Sequence, residues 1–433
     1  MLVQKYLSGA TAVNIAGSVE NAVSGGKLAA GAPLPPVRSL ARQLKVSPAT
    51  VAAAYRLLQD RGVVFADGRR GTRVRSAPPI ALPAEAPLPE GVRNLADGNP
   101  DLSLLPDLRR RRFDIAQRLY GDELNDPELL ELAREQFAED DVPAEHIAVV
   151  SGALDGIERV LREHLRAGDR VAVEDPSFVG VLDLLSAASL VAVPVAVDDE
   201  GLVPAELRRV LPSCRALIAT PRAQNPTGAA FSARRARELR SLLAAYPELL
   251  LIEDDHAGPI AGAEYRTLVD RARANRAVVR SVSKSLGPDL RVALLASDAR
   301  THARVEGRQT LGIRWVSHIL QRIVVALWRD RTPARAGRVY TERREALLRE
   351  LRARGIAAHG VSGLNVWIPV AEESATVQAM LQRGWGVKAG ERYRLATPPA
   401  IRVTIATLEQ REAARLADDL AKILLPQRRA SGV

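Results

Sequence analysis

Residues 281–291, SVSKSLGPDLR, contain Lys284, the only lysine between positions 46 and 387. Lysine is scarce in this chain, because only six of its 61 basic residues are lysines. A lysine amine can lose its proton and form a Schiff base with an aldehyde, which a guanidinium group cannot do. Lys284 follows the strand-like run AVVRSVS and lies among small residues, so it is a candidate reactive amine, with a surface cation as the alternative.

Neighbouring runs supply the other groups that bound pyridoxal 5'-phosphate (PLP) needs, namely an acid opposite its ring nitrogen and a clamp for its phosphate. The run LLLIEDDHAG places Glu253, Asp254 and Asp255 at the carboxyl end of a predicted buried strand, where open parallel sheets bind ligands. The run SGALDGIERV begins a predicted helix with small residues, and amides at a helix N-terminus suit a phosphate. The candidate phosphate contacts are Ser151, Gly152, Ala153, Ser281, Ser283 and Arg291.

Strand-like and helical runs alternate from Asn94 onward. The candidate strands are HIAVVSG, RVAVEDP, VAVPVAV, ALIATP, LLLIEDD, AVVRSVS and VALLAS. Amphipathic runs such as LDGIERVLREHLRAG lie between them. This alternation predicts an α/β domain with a mainly parallel sheet and crossover helices.

The N-terminal residues form a different, basic module. The runs IAGSVENAVS, VRSLARQLK and PATVAAAYRLLQDRG predict three helices, and GVVFADGRRGTRVRS predicts a hairpin, which together indicate a winged helix-turn-helix. Residues 1–76 carry eleven basic and three acidic side chains, so they hold +8 of the net charge of +10. Such a concentration is typical of a nucleic-acid reader. The candidate DNA contacts are Arg38, Ser47, Pro48, Thr50, Arg69, Arg70 and Thr72.

Residues 76–93 contain five prolines and no helical periodicity, which predicts an extended linker between a reader at 1–75 and a larger domain at 94–433. The single cysteine, Cys214, excludes an internal disulfide, and with only scattered histidines we expect no metal site. No apolar run has the length of a membrane span, and the N-terminus lacks the pattern of a secretory signal. We therefore expect a cytoplasmic protein that is not bound to a membrane.

Two resemblances cover the chain. Residues 12–75, with the runs LPPVRSLA, VSPATV and GTRV, resemble the DNA-binding domain of the GntR regulators, although Pro36 stands where serine is common. Residues 94–425 resemble fold-type-I aminotransferases, whose QNPTG, EDD and S-x-S-K motifs occur here in the family's order. A GntR-type reader, a linker and an aminotransferase-like domain, in that order, resemble the MocR subfamily of regulators.

The second resemblance implies roles for individual residues. Lys284 corresponds to the Schiff-base lysine, Asp254 to the partner of the pyridinium nitrogen, and Asn225 to a ligand of the phenolic oxygen. The remaining assignments are Phe178 stacked on the ring, Arg291 and Ser151–Gly152–Ala153 at the phosphate, Tyr120 at the phosphate of a partner subunit, and Arg402 at an effector carboxylate. His256 replaces the usual tyrosine. It either donates the same bond, in which case its protonation would matter near neutral pH, or points elsewhere.

These features predict a PLP-dependent, DNA-binding transcriptional regulator that senses PLP itself or an amine or amino-acid effector at Lys284. The resemblance implies a head-to-tail homodimer on a double-stranded DNA operator. Because His256 departs from the family pattern, we expect no physiological turnover. The alternatives are a catalytically active aminotransferase that carries a DNA-binding domain and a DNA-binding scaffold with a vestigial cofactor site.

Overall fold

The computed structural model describes residues 6–29, 31–60, 63–66, 71–74, 87–328 and 332–425. The chain splits into two compact units. The first contains residues 1–85, 164–171 and 182–192, and the second contains the remaining residues. Within the described part of the chain, no helix has the length and apolar character needed to cross a membrane.

The N-terminal part of the chain forms three helices and a hairpin. These elements are α1 (Ala12–Ser24), α2 (Val37–Leu44), α3 (Pro48–Asp60), β1 (Val64–Ala66) and β2 (Thr72–Val74). The two strands pair antiparallel. The predicted winged helix-turn-helix is confirmed, and its helices begin and end within a few residues of the predicted bounds.

Side-chain caps and a buried hydrogen bond explain these helix positions. The Thr11 hydroxyl accepts from the Asn14 amide at 3.2 Å, which starts α1. The Ser47 hydroxyl accepts from the Thr50 amide at 3.1 Å, as expected of a residue that precedes a proline-initiated helix. The buried Tyr55 hydroxyl donates to the Pro35 carbonyl at 2.7 Å and so ties α3 to the turn before α2.

The rest of the chain contains thirteen strands among the described residues. They are β3 (Arg93–Asn94), β4 (His146–Val150), β5 (Arg170–Asp175), β6 (Val191–Asp198), β7 (Gly201–Leu202), β8 (Ala216–Ala219), β9 (Leu250–Asp255), β10 (Arg276–Ser281), β11 (Ala293–Ser297), β12 (Asn365–Pro369), β13 (Trp385–Gly386), β14 (Lys388–Ala389) and β15 (Ala400–Thr404). Eight of them form one sheet in the order β4-β11-β10-β9-β8-β5-β6-β7. The order β12-β15-β14 forms a second sheet, and β3 pairs with β13.

The centre of the large sheet is parallel, with one exception. Strands β8, β9 and β10 run parallel, whereas β11 is antiparallel to both β10 and β4. β11 was expected to run parallel to its neighbours after a crossover helix. It runs antiparallel because only residues 282–292 join it to β10. A parallel crossover needs a dozen or more residues, so this short connection reverses the chain and leaves Lys284 in the loop.

Ten helices accompany these strands among the described residues. They are α4 (Pro127–Glu139), α5 (Ala153–His164), α6 (Val179–Ala187), α7 (Pro204–Val210), α8 (Ala233–Leu243), α9 (Ala299–Leu311), α10 (His318–Trp328), α11 (Thr332–Ala353), α12 (Glu373–Leu381) and α13 (Gln410–Leu424). One apolar core surrounds the large sheet, and a second lies around α11, α13 and β12. These layers confirm the predicted α/β class.

The end of the expected linker is part of this folded structure. Arg93 begins β3, and its Nε donates to Glu412 at 3.0 Å. A Cβ on Gly386 would lie 2.6 Å from the Leu88 side chain, so these two residues are in close contact. Because β3 pairs with β13, the last residues of the segment that composition assigns to the linker belong to the folded structure.

Candidate functional site

Asp254 lies at the carboxyl end of β9 and is 4% exposed. Side chains alternate along a strand, so Asp254 lies on the opposite face from Glu253 and Asp255. Its Oδ1 is buried and has no hydrogen-bond partner among the described residues. Burial raises the pKa of Asp254 to about 7, and the negative charges of Asp255 and Glu174 add to this rise. A buried carboxyl oxygen without a partner is suited to a ligand N–H.

Asp255, on the other face of β9, holds two arginines. Its carboxylate accepts from Nε and Nη2 of Arg222, both at 2.9 Å, and from Nε of Arg280 at 2.6 Å. The two guanidinium groups hold the pKa of this carboxyl well below its usual range, against the effect of burial. Arg222 precedes Asn225 by three residues, and Arg280 precedes Lys284 by four. The Asp255 carboxylate therefore holds the loop that carries Asn225 and the strand that leads to Lys284.

Lys284 lies in the loop after β10, where its Nζ donates to the Gly98 carbonyl at 2.6 Å. Burial lowers the pKa of the Lys284 amine, and the positive charge of Arg402 lowers it further, while Asp97 acts in the opposite direction. A lowered pKa increases the neutral, nucleophilic fraction of an amine. The surroundings of Lys284 therefore support the predicted reactive amine.

Asn225 lies in the loop after β8. Its Oδ1 accepts from Nη1 of Arg402 at 3.2 Å and from Nδ2 of Asn365 at 3.3 Å. Because the oxygen faces two donors, the amide nitrogen is the group of Asn225 that can donate to a ligand oxygen. The structure thus brings Asn225 and Arg402, which are 177 residues apart, into direct contact.

Gly152 and Arg291 form a cradle at the start of α5. Gly152 has a φ of +104°, and a Cβ at this position would collide with the Arg291 guanidinium. Nη2 of Arg291 donates to the Ser151 carbonyl at 2.9 Å, which holds the guanidinium against the turn. Amides of a helix N-terminus beside an arginine form an anion site. This arrangement fits a phosphate group.

The serines of the predicted phosphate clamp differ in their contacts. The buried Ser283 hydroxyl has no partner among the described residues, whereas the Ser281 hydroxyl accepts from the Ser283 amide at 3.2 Å. The Ser151 amide donates to Asp155 at 2.8 Å, so this amide is engaged within the turn. Ala153 is the first residue of α5. Ser283 is therefore the serine of this set whose hydroxyl is best placed to form a hydrogen bond with a ligand.

His256 follows directly after β9. Burial lowers its pKa to about 4, the positive charges of Lys284 and Arg222 act in the same direction, and Asp255 opposes them. Burial therefore favours the neutral imidazole at pH 7 in this structure, and the role of His256 toward PLP stays a prediction. A neutral imidazole still carries one N–H donor, so both interpretations of its role remain open.

Arg402 lies in β15, is buried, and packs beside two aromatic side chains. The Arg402 guanidinium lies 5.0 Å from the centre of the Tyr393 ring, and Tyr393 meets Trp367 edge to face at 6.3 Å. Phe178 is half-buried and packs against the same cluster. Sequence patterns did not indicate Tyr393 or Trp367, because neither lies in a motif.

The sequence patterns also did not identify Arg280, although one feature of the sequence marks it as unusual. It interrupts the otherwise apolar run of a predicted buried strand, AVVRSV. Arginine is almost never fully buried unless it is paired, so a charge at this position indicates a buried ion pair. The partners Asp255 and Asp140 lie 25 and 140 residues away, and the sequence alone does not identify them.

Tyr120 does not join the other predicted cofactor residues within this chain. It is 85% exposed and meets Trp315 edge to face at 5.6 Å, with the Arg314 guanidinium 5.5 Å from its ring. An exposed position is compatible with the predicted contact to a partner subunit, which stays a prediction.

The predicted DNA contacts at the helix-turn-helix lie at or near the starts of α2 and α3. Arg38, Ser47 and Pro48 are exposed, and the Ser47 and Thr50 hydroxyls lie 2.8 Å apart. Thr72 begins β2 and is half-buried. Arg69 and Arg70 lie outside the described residues.

Comparison with known proteins gives the family. The model of the gntR family of bacterial regulatory proteins matches residues 11–74, and the model of class I and II aminotransferases matches residues 92–420. The vitamin B6 salvage pathway transcriptional repressor PtsJ of Salmonella typhimurium is 41% identical over 96% of this chain and 99% of its own length. The chain belongs to the MocR subfamily of GntR regulators.

A second regulator and a solved aminotransferase structure are also similar to this chain. The pyridoxine biosynthesis transcriptional regulator PdxR of Corynebacterium glutamicum is 32% identical over 55% of this chain and 54% of its own. Among solved structures, the α-aminoadipate aminotransferase LysN of Thermus thermophilus superposes with a TM-score of 0.66 at 21% identity, covering 77% of this chain and 92% of LysN. This likeness shows the fold-type-I aminotransferase fold of the large domain.

Proposed function

We propose that this protein is a PLP-dependent transcriptional regulator that binds operator DNA and responds to PLP itself or to an amine effector at Lys284. The observation that carries the proposal is the buried Asp254 carboxyl with no partner at Oδ1, on the strand next to the one that leads to Lys284. Membership of the MocR subfamily supports the DNA-reading part of this function.

The residues of the site fit PLP. Asp254 would be the acid for the ring nitrogen and Asn225 a donor for the phenolic oxygen, to which His256 would also donate if its imidazole points into the site. By the family pattern, Phe178 would stack on the ring, and Gly152, Ser283 and Arg291 would hold the phosphate. When bound, PLP would supply an aldehyde that can condense with a primary amine with release of water, and Lys284 is the residue that would provide this amine.

The signal that the site reads is either PLP or a carboxylate-bearing amine. The name of PtsJ refers to vitamin B6 salvage and that of PdxR to pyridoxine biosynthesis, which supports PLP as the signal. The buried Arg402 beside Asn225 supports a carboxylate on any further effector. A ligand that changes contacts in this site shifts the equilibrium between DNA-binding and non-binding forms of the protein.

The proposed organisation is a reader at residues 1–75, a linker that begins at residue 76, and a PLP-binding domain that includes the packed Leu88 and Arg93 and extends to residue 433. A head-to-tail homodimer would place Tyr120 at the phosphate of the partner subunit. Leu119, Leu311 and Ile313 are 74%, 84% and 54% exposed, which supports an interface between copies. Such a dimer would act in the cytoplasm at the nucleoid, on paired half-sites of the operator.

The visible absorption spectrum with added PLP tests this function. We expect the full-length protein to develop an absorption band that borohydride abolishes, and Lys284→Ala to lack it. Lys422→Ala, which changes an exposed lysine in α13, is the matched control and should behave like the wild type. DNA binding of wild type and Lys284→Ala, with and without PLP, then measures the response. A wild type without the band would contradict PLP binding.

A further inference from the structure

Asp175 is a buried carboxylate that accepts three backbone N–H groups from one loop. It ends β5 and is 4% exposed. Its Oδ1 accepts from Leu395 at 2.8 Å, and its Oδ2 accepts from Ala396 at 2.8 Å and from Thr397 at 2.9 Å. Leu395 and Ala396 are themselves exposed, so the carboxylate holds a surface loop from below. Hydrogen bonds to a carboxylate are about twice as strong as neutral ones.

A second contact closes this clamp at the other end of the loop. The Ser177 amide donates to the Tyr393 carbonyl at 2.7 Å. Residues 175–177 therefore hold residues 393–397 at both ends. The same segment continues into Phe178, which packs against the cluster of Trp367, Tyr393 and Ala400, so this segment carries a proposed PLP contact as well as the clamp.

The clamped loop places the Tyr393 ring under Arg402. Tyr393 is 3% exposed, and its ring centre lies 5.0 Å from the Arg402 guanidinium. Trp367 supports the ring edge to face at 6.3 Å. An aromatic face holds a guanidinium in a defined plane, and the direction of its N–H fork depends on that plane.

We propose that Asp175 is a positioning residue for recognition of a ligand carboxylate. By fixing residues 393–397, it keeps Tyr393 against Arg402 and so directs the guanidinium toward a ligand joined to PLP. The ligand class selected in this way is an amine with a carboxylate on the carbon next to the nitrogen. This inference rests on the proposed function, because it concerns the effector side of the same site.

Two stable probes that differ only in the carboxylate test the proposal. They are N-(5'-phosphopyridoxyl)-L-alanine and N-(5'-phosphopyridoxyl)ethylamine, and their Kd values are measured calorimetrically on the full-length protein after removal of PLP. We expect the wild type to prefer the alanine probe by about tenfold or more, the value of one well-placed charged hydrogen bond. Asp175→Asn should reduce that preference toward one, because its NH2 group would face at least one backbone N–H donor and shift the loop.

The two probes separate a role of Asp175 in positioning the carboxylate subsite from a role in stabilising the whole fold. The Kd of the ethylamine probe should stay within about twofold of the wild type in Asp175→Asn, because that probe does not contact the carboxylate subsite. Asp418→Asn changes an exposed carboxylate on α13 and should leave both Kd values unchanged. Equal weakening of both probes by Asp175→Asn, or a wild type without preference, would overturn the proposal. A wild type that binds neither probe nor PLP would overturn the proposed function itself.

Substitutions of Tyr393 test the same link if Asp175→Asn does not fold. Tyr393→Phe keeps the ring face and should retain the preference for the alanine probe. Tyr393→Leu removes the face and should reduce the preference by about tenfold, with little change in the Kd of the ethylamine probe. If both variants keep the wild-type preference, the ring does not direct Arg402 and the inference is wrong.

Discussion

Asp254→Asn should change stability and PLP affinity in opposite directions. The carboxyl of Asp254 is buried and its pKa is raised to about 7, so a protein without PLP must bury a negative charge at alkaline pH. Asparagine has nearly the same shape and carries no charge. We therefore expect the variant to gain stability over the wild type as the pH rises, while losing the charged partner of the PLP ring nitrogen.

The size of the effect follows from the pKa difference. The ordinary pKa of this carboxyl is 3.8, and the folded value is about 7. Because the folded state binds the proton more tightly, raising the pH between these values destabilises it by about 1.4 kcal/mol per unit. Below pH 3.8 the group has no effect, and above pH 7 the full cost of about 4 kcal/mol is present. From pH 5 to pH 8, the free energy of unfolding of the wild type should fall by about 3 kcal/mol more than that of Asp254→Asn.

Urea unfolding measures this difference directly. Full-length wild type and Asp254→Asn, both freed of PLP by dialysis against hydroxylamine, are unfolded at pH 5, 6.5 and 8. Glu174 and Glu253 also have raised pKa values, but they are present in both proteins. The contribution of Glu253 therefore largely cancels in the comparison, whereas the repulsion between Glu174 and Asp254 is removed with the Asp254 charge and is part of the effect measured. Asp418→Asn, at an exposed position, should follow the wild-type pH profile.

The PLP titration of the same proteins gives the second half of the prediction. We expect Asp254→Asn to bind PLP about 100-fold more weakly, the value of a buried charge-assisted contact. Unfolding free energies of the two proteins that change in parallel between pH 5 and pH 8 would refute the reasoning. PLP affinity that is unchanged in Asp254→Asn would refute the assignment of Asp254 to the ring nitrogen.

Two further predictions concern the phosphate cradle and the DNA reader. Gly152→Ala should weaken PLP binding at least tenfold and lower stability by about 1–2 kcal/mol, because a Cβ displaces Arg291 and the φ of +104° is strained. Gly355→Ala, at a φ of +73° with open space around it, should lower stability without changing PLP affinity, as spectral titration and urea unfolding would show. Operator affinity measured against salt concentration should fall steeply, and Arg38→Ala should reduce the slope of log K against log salt by about 0.9 if Arg38 contacts a phosphate. A flat response of the wild type would contradict the reader.

The sequence was informative wherever the evidence lies within one short segment. Periodicity and caps predicted the winged helix-turn-helix, since Ser47, Pro48 and the helical spacing after them are local features. Motifs in their family order predicted the aminotransferase-like domain and the candidates Lys284, Asp254 and Asn225. These residues lie at or just after the carboxyl ends of strands, which meet at one edge of a parallel sheet, so their proximity could be expected from the pattern alone.

Only the tertiary structure decided which groups lie against these candidates. The partners of Lys284 and Asp175 are 186 and 220 or more residues distant, and no local pattern joins them. The direction of β11 depended on the length of one connection, and the neutral state of His256 depended on burial and on the charges of Lys284 and Arg222. The sequence determined the elements and the kinds of reactive group, because both are properties of neighbouring residues. Packing determined the partners and the protonation of those groups, because desolvation and long-range contacts exist only once the chain is folded.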